Sequence, residues 1–194
     1  LVIEDAQSRA RILLGAPIPE VPGRVRTDTA RVREAWAHRF PDPDEFMRSY
    51  RERVRSSMDG LLILTEDGFD RVALGAPYPD PWFGPRLGPG AGMIVNDDRG
   101  TERTGYGVLE VDGGERVVLG LDSQGREGVT LSLLEDGKRG LSVYDGEGTL
   151  FLGRAPPGDA TTGLEEAFRG LLLRRGDSTV LRLDRTAGVG STGR

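Results

Sequence analysis

A single histidine, His38, and no cysteine limit the chemistry open to this chain. Without thiols there are no disulfides, no zinc ribbon and no thiolate nucleophile. One imidazole without cysteine makes a zinc site implausible. A hydrolytic triad would have to use His38, yet no serine stands in a Gly-x-Ser-x-Gly turn. Gly88, Gly90 and Gly92 precede an apolar run, whereas a phosphate loop follows a strand and opens a helix. Asn96, Asp97, Asp98 and Glu102 form the best group of oxygen donors, but Gly100 stands where a calcium ligand is needed and a turn already explains the group. The acid pairs Asp42/Asp44 and Glu165/Glu166 sit at expected helix starts, whereas general acid–base work needs carboxylates that converge from different elements. The reading is a chain without catalytic, metal or cofactor residues, leaning away from an enzyme.

Contact surfaces are the remaining candidates. Tyr78, Trp82 and Phe83 lie in APYPDPWFGPRLGPGAG (76–92), a proline- and glycine-rich loop whose stiffness lets large side chains dock at little entropic cost. They could equally plug the end of the chain's own sheet. Arg48, Arg51 and Arg55 line one face of an expected helix and could meet an acidic partner or lipid. An ordinary solvated helix face gives the same pattern.

The elements that position these residues follow from a repeated phrase. Residues 1–17 read LVIEDAQSRARILLGAP and residues 61–77 read LLILTEDGFDRVALGAP, identical at seven of seventeen positions. Looser copies follow in IVNDDRGTERTGYG (94–107), EVDGGERVVLG (110–120) and SVYDGEGTLFLG (142–153). Each copy is a short apolar run, a polar turn and a second run ended by glycine, too short for helices and rich in Val, Leu and Ile. Asp67-Gly68, Asp112-Gly113, Asp136-Gly137 and Asp145-Gly146 predict hairpins with type I′ turns. The recurring Arg11, Arg71 and Arg103 are expected to pair with acids of their own turns, such as Glu66 or Asp67 for Arg71. Their glycines read as bends or strand ends.

The expected fold is mainly β: about ten strands in antiparallel hairpins, forming a barrel or two packed sheets. One domain spans 1–185, with a helical insertion within 18–60 (about 24–59), the loop 76–92, and a loose tail at 186–194. In the insertion, Asp28 or Thr29 caps a helix with Val32, Ala35, Trp36 and Phe40 on one face. Asp42 caps a second, opened by Pro43, in which Phe46, Tyr50, Val54 and Met58 recur every four residues until Gly60. Thr162 and Glu165 spell a capping box for a C-terminal helix over about 163–175. STVLRLDR (178–185) alternates like a last strand.

A net charge of −5 argues against a nucleic-acid partner. No apolar stretch is long enough to span a membrane as a helix. The start at Leu1 raises the expectation that either a leader or anchor has been removed or the N-terminus is incomplete. The phrases LVIEDAQSRARILLG, LLILTEDGFDRVALG, IVNDDRGTERTGYG and VYDGEGTLFLG resemble tandem repeats of the form aliphatic-Asp-x-x-Gly-x-x-Arg-aliphatic-x-Leu-Gly, found in uncharacterised bacterial proteins that are often membrane-anchored. The resemblance covers about half of the chain. It implies a β-hairpin repeat domain at an extracytoplasmic, periplasmic site, and no catalytic residue. The expected function is a non-enzymatic structural subunit with protein partners in a membrane-associated assembly, such as a respiratory or photosynthetic complex. The alternative is a small-ligand-binding barrel or an enzyme using the sheet interior as its pocket.

Overall fold

The computed structural model describes residues 1–53, 58–77, 79–80, 84–85, 90–111, 114–123 and 126–184. Its strands are β1 (Val2–Glu4), β2 (Ala10–Gly15), β3 (Asp59–Leu64), β4 (Asp70–Ala76), β5 (Pro79–Asp80), β6 (Gly84–Pro85), β7 (Gly90–Asn96), β8 (Glu102–Val111), β9 (Gly114–Ser123), β10 (Arg126–Leu134), β11 (Arg139–Tyr144), β12 (Gly148–Ala155), β13 (Phe168–Arg175) and β14 (Ser178–Asp184). All but β5 and β6 form one antiparallel sheet of 12 strands in strict chain order, with β1 and β14 as its edges. Strands β5 and β6 make a two-stranded ribbon. The sheet is therefore open, not a closed barrel, and has more strands than the ten expected.

The repeated phrase builds equivalent hairpins. Val2 pairs with Leu13 and Ile3 with Ile12, while sixty residues on Leu62 pairs with Ala73 and Ile63 with Val72. Both hairpins break register at the same place, after Ile3 and after Ile63. The turns are not the expected type I′. Thr65 N donates to Phe69 O and Gly68 N to Thr65 O, so three residues span the turn and only the third, Gly68 at φ +77°, is left-handed. Asp5–Arg9, Asp97–Thr101 and Leu134–Lys138 repeat this pattern, with Ser8, Gly100 and Gly137 in the left-handed place. Copy one therefore has no longer loop, because Ser8 substitutes for the glycine. Among the described residues the turns at Gly146-Glu147 and Gly176-Asp177, each with its glycine at positive φ, close with two residues. Asp112-Gly113 lies outside the described residues.

The recurrent arginines also behave differently from expectation. Arg11 Nε donates to Leu64 O, Arg71 Nη1 to Asn96 O and Arg103 Nε to Asp122 O. In each case the acceptor is the end of the next hairpin's first strand. Arg71 further meets Asp98 of the next turn at 3.1 Å, not Glu66 or Asp67. Of the three, only Arg11 also contacts an acid of its own turn, Asp5 at 3.3 Å. The repeat unit thus carries its own stitch to its neighbour.

One face of the sheet is covered. Leu13, Leu62, Ala73 and Ile94 lie side by side across β2, β3, β4 and β7 and pack with Ile18 and Met58. The insertion supplies α1 (Thr29–Trp36), capped by Asp28 through Ala30 N and Arg31 N, and α2 (Pro43–Arg53), capped by Asp42 through Asp44 N and Glu45 N. Trp36, Phe46 and Tyr50 are buried between them, and Phe40 stacks on Phe46 at 4.2 Å. Trp36 Nε1 donates to Arg99 O, fixing α1 against the turn after β7. Val54 lies outside the described residues. Met58 is buried with the sheet cluster, and β3 begins at Asp59, so neither Met58 nor Gly60 belongs to a helix.

The expected helix at 163–175 is absent. Asp159 Oδ1 accepts from Thr161 N and Thr162 N, and Gly163, at φ +61°, turns the chain away from helical geometry. Residues 168–175 then form β13, paired along its whole length with β12. Phe168 and Leu172 fall both on a helical stripe and on one face of a strand, so their spacing fits either element. Pairing with β12 decides it, and both bury against Phe151 and Ala155.

Candidate functional site

Strand alternation puts half of every strand on the opposite face. That face carries two long, almost wholly apolar rows. Cross-strand register aligns Leu14, Leu61, Leu74, Met93, Tyr106, Leu119, Leu131, Leu141, Leu152, Leu171 and Leu183 in one row. Two residues along, Ile12, Ile63, Val72, Val95, Thr104, Leu121, Val129, Val143, Leu150, Leu173 and Leu181 make a second row with one polar member. Among the described residues, the three buried clusters all lie elsewhere, on the covered face and around the helices. Tyr106, Leu131, Leu152 and Leu183 are consequently 52–58% exposed, whereas Leu13 and Leu62 on the covered face are 0% exposed.

A row of glycines flanks the core on the covered face. Gly15, Gly60, Gly75, Gly92 and Gly107 are register partners across five strands. A Cβ on Gly60 would stand 2.0 Å from Leu74 O and one on Gly75 1.9 Å from Asp59 O. The Leu-Gly endings at Leu14-Gly15, Leu74-Gly75 and Leu152-Gly153 therefore put leucine on the open face and glycine where backbones crowd.

A third row borders the open face. Val108, Val117 and Leu133 continue into Arg139, Arg154 and Arg169, which sit directly opposite one another on β11, β12 and β13. One step further along β8, β9 and the end of β10 lie Glu110 and Glu115, paired across strands, and Glu135, whose N–H donates to Glu115 O. All six charged residues are exposed, and none makes an ion pair among the described residues. Like charges directly opposite on a sheet repel. Two adjoining shallow hollows of about 420 and 400 Å³ share Arg139, one lined by the arginines and Leu152, the other by Tyr106, Leu119, Leu131 and Leu133.

The densest buried polar cluster lies on the other side, and sequence reasoning missed it. Asp70, at the start of β4, receives Arg24 Nε and Nη2 at 2.7 Å each and Arg26 Nε at 3.0 Å. Burial opposes the Asp70 charge, but the two guanidinium groups outweigh it and hold the carboxyl below its ordinary value. The same carboxylate raises Arg24 against the effect of its burial. Burial pushes Tyr50 up to about 12, and its hydroxyl donates to Arg26 O. Asn96 Nδ2 completes the cluster on Asp70 O. With its oxygens taken by arginines, Asp70 works as a clamp between the insertion and the sheet. Arg24 and Arg26 stand in no motif; their only signal is two arginines flanking an apolar valine ahead of a helix cap.

The expected contact residues fare unevenly. Tyr78, Trp82, Phe83 and Arg55 lie outside the described residues. Arg48 is exposed and engaged with Glu45 on its own helix, and Arg51 is exposed beside it. In the oxygen-donor group around Gly100, Asp97 accepts from Arg99 N and Thr101 N within its turn, and Asp98 holds Arg71. His38 is exposed, with Nδ1 3.3 Å from Glu34 O. Comparison with protein-family models, with curated proteins and with solved structures finds no match.

Proposed function

We propose that the chain is a non-enzymatic binding module, an accessory subunit that braces a larger, membrane-associated bacterial assembly through the open face of its sheet. One observation carries this reading: two full rows of apolar side chains are displayed on a sheet whose other face already has its cover. The largest apolar patch of an ordinary monomer is about 300–600 Å², often functional. The two rows run side by side across 11 strands, roughly 50 Å of sheet at about 4.8 Å between strands. Against the alternative of a ligand-binding interior, the covered side is packed with Leu, Ile, Ala and Phe under β2, β3, β4 and β7 and under β12 and β13, although β10 and β11 place Thr130, Ser132 and Ser142 between these clusters, and the two hollows on the open face are shallow. Among the described residues no helix is long and apolar enough to cross a membrane; besides the open face, residues 78–83 and the exposed Arg48 and Arg51 of α2 are the proposed points of attachment.

The test is the sedimentation of the tagged chain from its own cells, as wild type and as Leu131→Glu with Leu152→Glu. The wild type should travel with a large complex and the variant should be released from it, still folded by circular dichroism. A variant that stays in the complex would remove the open face from the account.

A further inference from the structure

The open face has a charge pattern that is its own complement. We infer that its occupant is a second copy of this chain, packed face to face to give the two-layered sheet that a single copy lacks. This rests on the open face being the docking surface, and names what docks there.

The argument starts from the two unpaired charge trios. Acid lies on β8 and β9 at Glu110 and Glu115 and, just past the end of β10, at Glu135 in the turn; arginine lies on β13, β12 and β11 at Arg169, Arg154 and Arg139. A twofold axis parallel to the strands, between β10 and β11, lays β8–β10 of one copy over β13–β11 of the other. Glu115 then meets Arg154 of the second copy, Glu135 meets Arg139 and Glu110 meets Arg169, and each pair occurs twice. The rows are offset by one strand step, roughly 7 Å, across a sheet gap of about 10 Å. An extended Arg and Glu span that diagonal. The same axis sets the leucine row of one copy on the leucine row of the other, the self-complementary arrangement a twofold interface requires.

Area agrees. The apolar rows over β8–β14 cover roughly 35 by 20 Å, or about 700 Å², close to the ~800 Å² per partner of a stable interface. Tyr106, Leu131, Leu133, Leu152 and Leu183, each more than half exposed, lie in this part of the sheet. An anionic membrane surface satisfies the arginines but would be repelled by the three neighbouring glutamates. A second copy satisfies both.

The test uses the purified full chain in sedimentation velocity. Wild type should sediment at twice 21.0 kDa. Arg154→Glu alone and Glu115→Arg alone should each raise the dissociation constant roughly tenfold or more, because each places like charges together at two symmetry-related points. An equimolar mixture of the two variants restores opposite charges at both points and should recover the dimer. A wild type that stays monomeric at high concentration, or a mixture no tighter than the single variants, overturns the self-pairing. If in that event Leu131→Glu with Leu152→Glu still releases the chain from its cellular complex, only the choice of partner has failed. If it does not, the docking reading falls as well.

Discussion

On β2, β3, β12 and β13 the two faces of the sheet carry the same apolar residue types, yet they have opposite fates. On the covered face, Leu13, Leu62, Phe151 and Leu172 are at most 1% exposed, beneath residues 17–21, Met58 and Leu164. On the open face, Leu131, Leu152 and Leu183 are more than half exposed. The composition of a strand therefore does not say which of its faces is the core. What decides is where cover is supplied, and the chain supplies it once. The long insertion after β2 and the turn-rich segment after β12 cover the same side. Among the described residues no element packs on the other side, and on the reading proposed above a partner would cover it.

The largest effects should come from breaking the covered side. Trp36→Ala removes a buried ring and the hydrogen bond to Arg99 O, and should lower stability by about 3–5 kcal/mol in a denaturant melt. Leu62→Ala, at the centre of the sheet cluster, should cost about 2–5 kcal/mol.

Asp70→Asn sharpens the comparison, because it attacks the clamp holding the cover to the sheet. Leaving Arg24 and Arg26 buried without their carboxylate should cost about 3 kcal/mol. The pH dependence has a defined sign. The folded carboxyl titrates below its unfolded value of about 3.9, so its stabilisation is complete above that pH and is lost as pH falls through the lower, folded value. Thermal melts should fall steeply for wild type below about pH 4 and more gently for Asp70→Asn. Equal slopes would mean that the clamp carries no net charge coupling.

Much of this comparison was legible in the sequence. Repetition of LLIL…RVALGAP marked the hairpins, their register and their glycine bends, and Asp28 and Asp42 marked both helices of the insertion. The sheet's openness was not legible, since an alternating strand looks the same in a barrel, a sandwich or a single layer. The C-terminal helix was misread because Phe168 and Leu172 satisfy both periods, and only pairing with β12 separates them. The charge trios were invisible for the same reason: Arg139, Arg154 and Arg169 are far apart in the chain and become neighbours through register alone. The Asp70 clamp depends on a contact between residues 46 apart, with no local motif to announce it.

Smaller effects belong to the stitching and to the open face of a lone chain. Arg71→Ala removes a bond to Asn96 O and a solvent-exposed pair with Asp98, and should cost under about 1 kcal/mol. Leu131→Ala, measured at nanomolar concentration where the chain is alone, should also cost no more than about 1 kcal/mol, since half of the side chain is already in water. A cost comparable to that of Leu62→Ala would show that the open face is covered within the monomer.

The central claim, that this face is closed by a second copy, is tested most directly by the concentration dependence of the melting temperature. A partner that binds only the folded chain raises its stability by mass action. The wild-type melting temperature should therefore climb as protein concentration is raised from nanomolar to tens of micromolar. Leu131→Glu should show one constant value, close to that of dilute wild type. A wild-type melting temperature that does not move over this range would contradict the account.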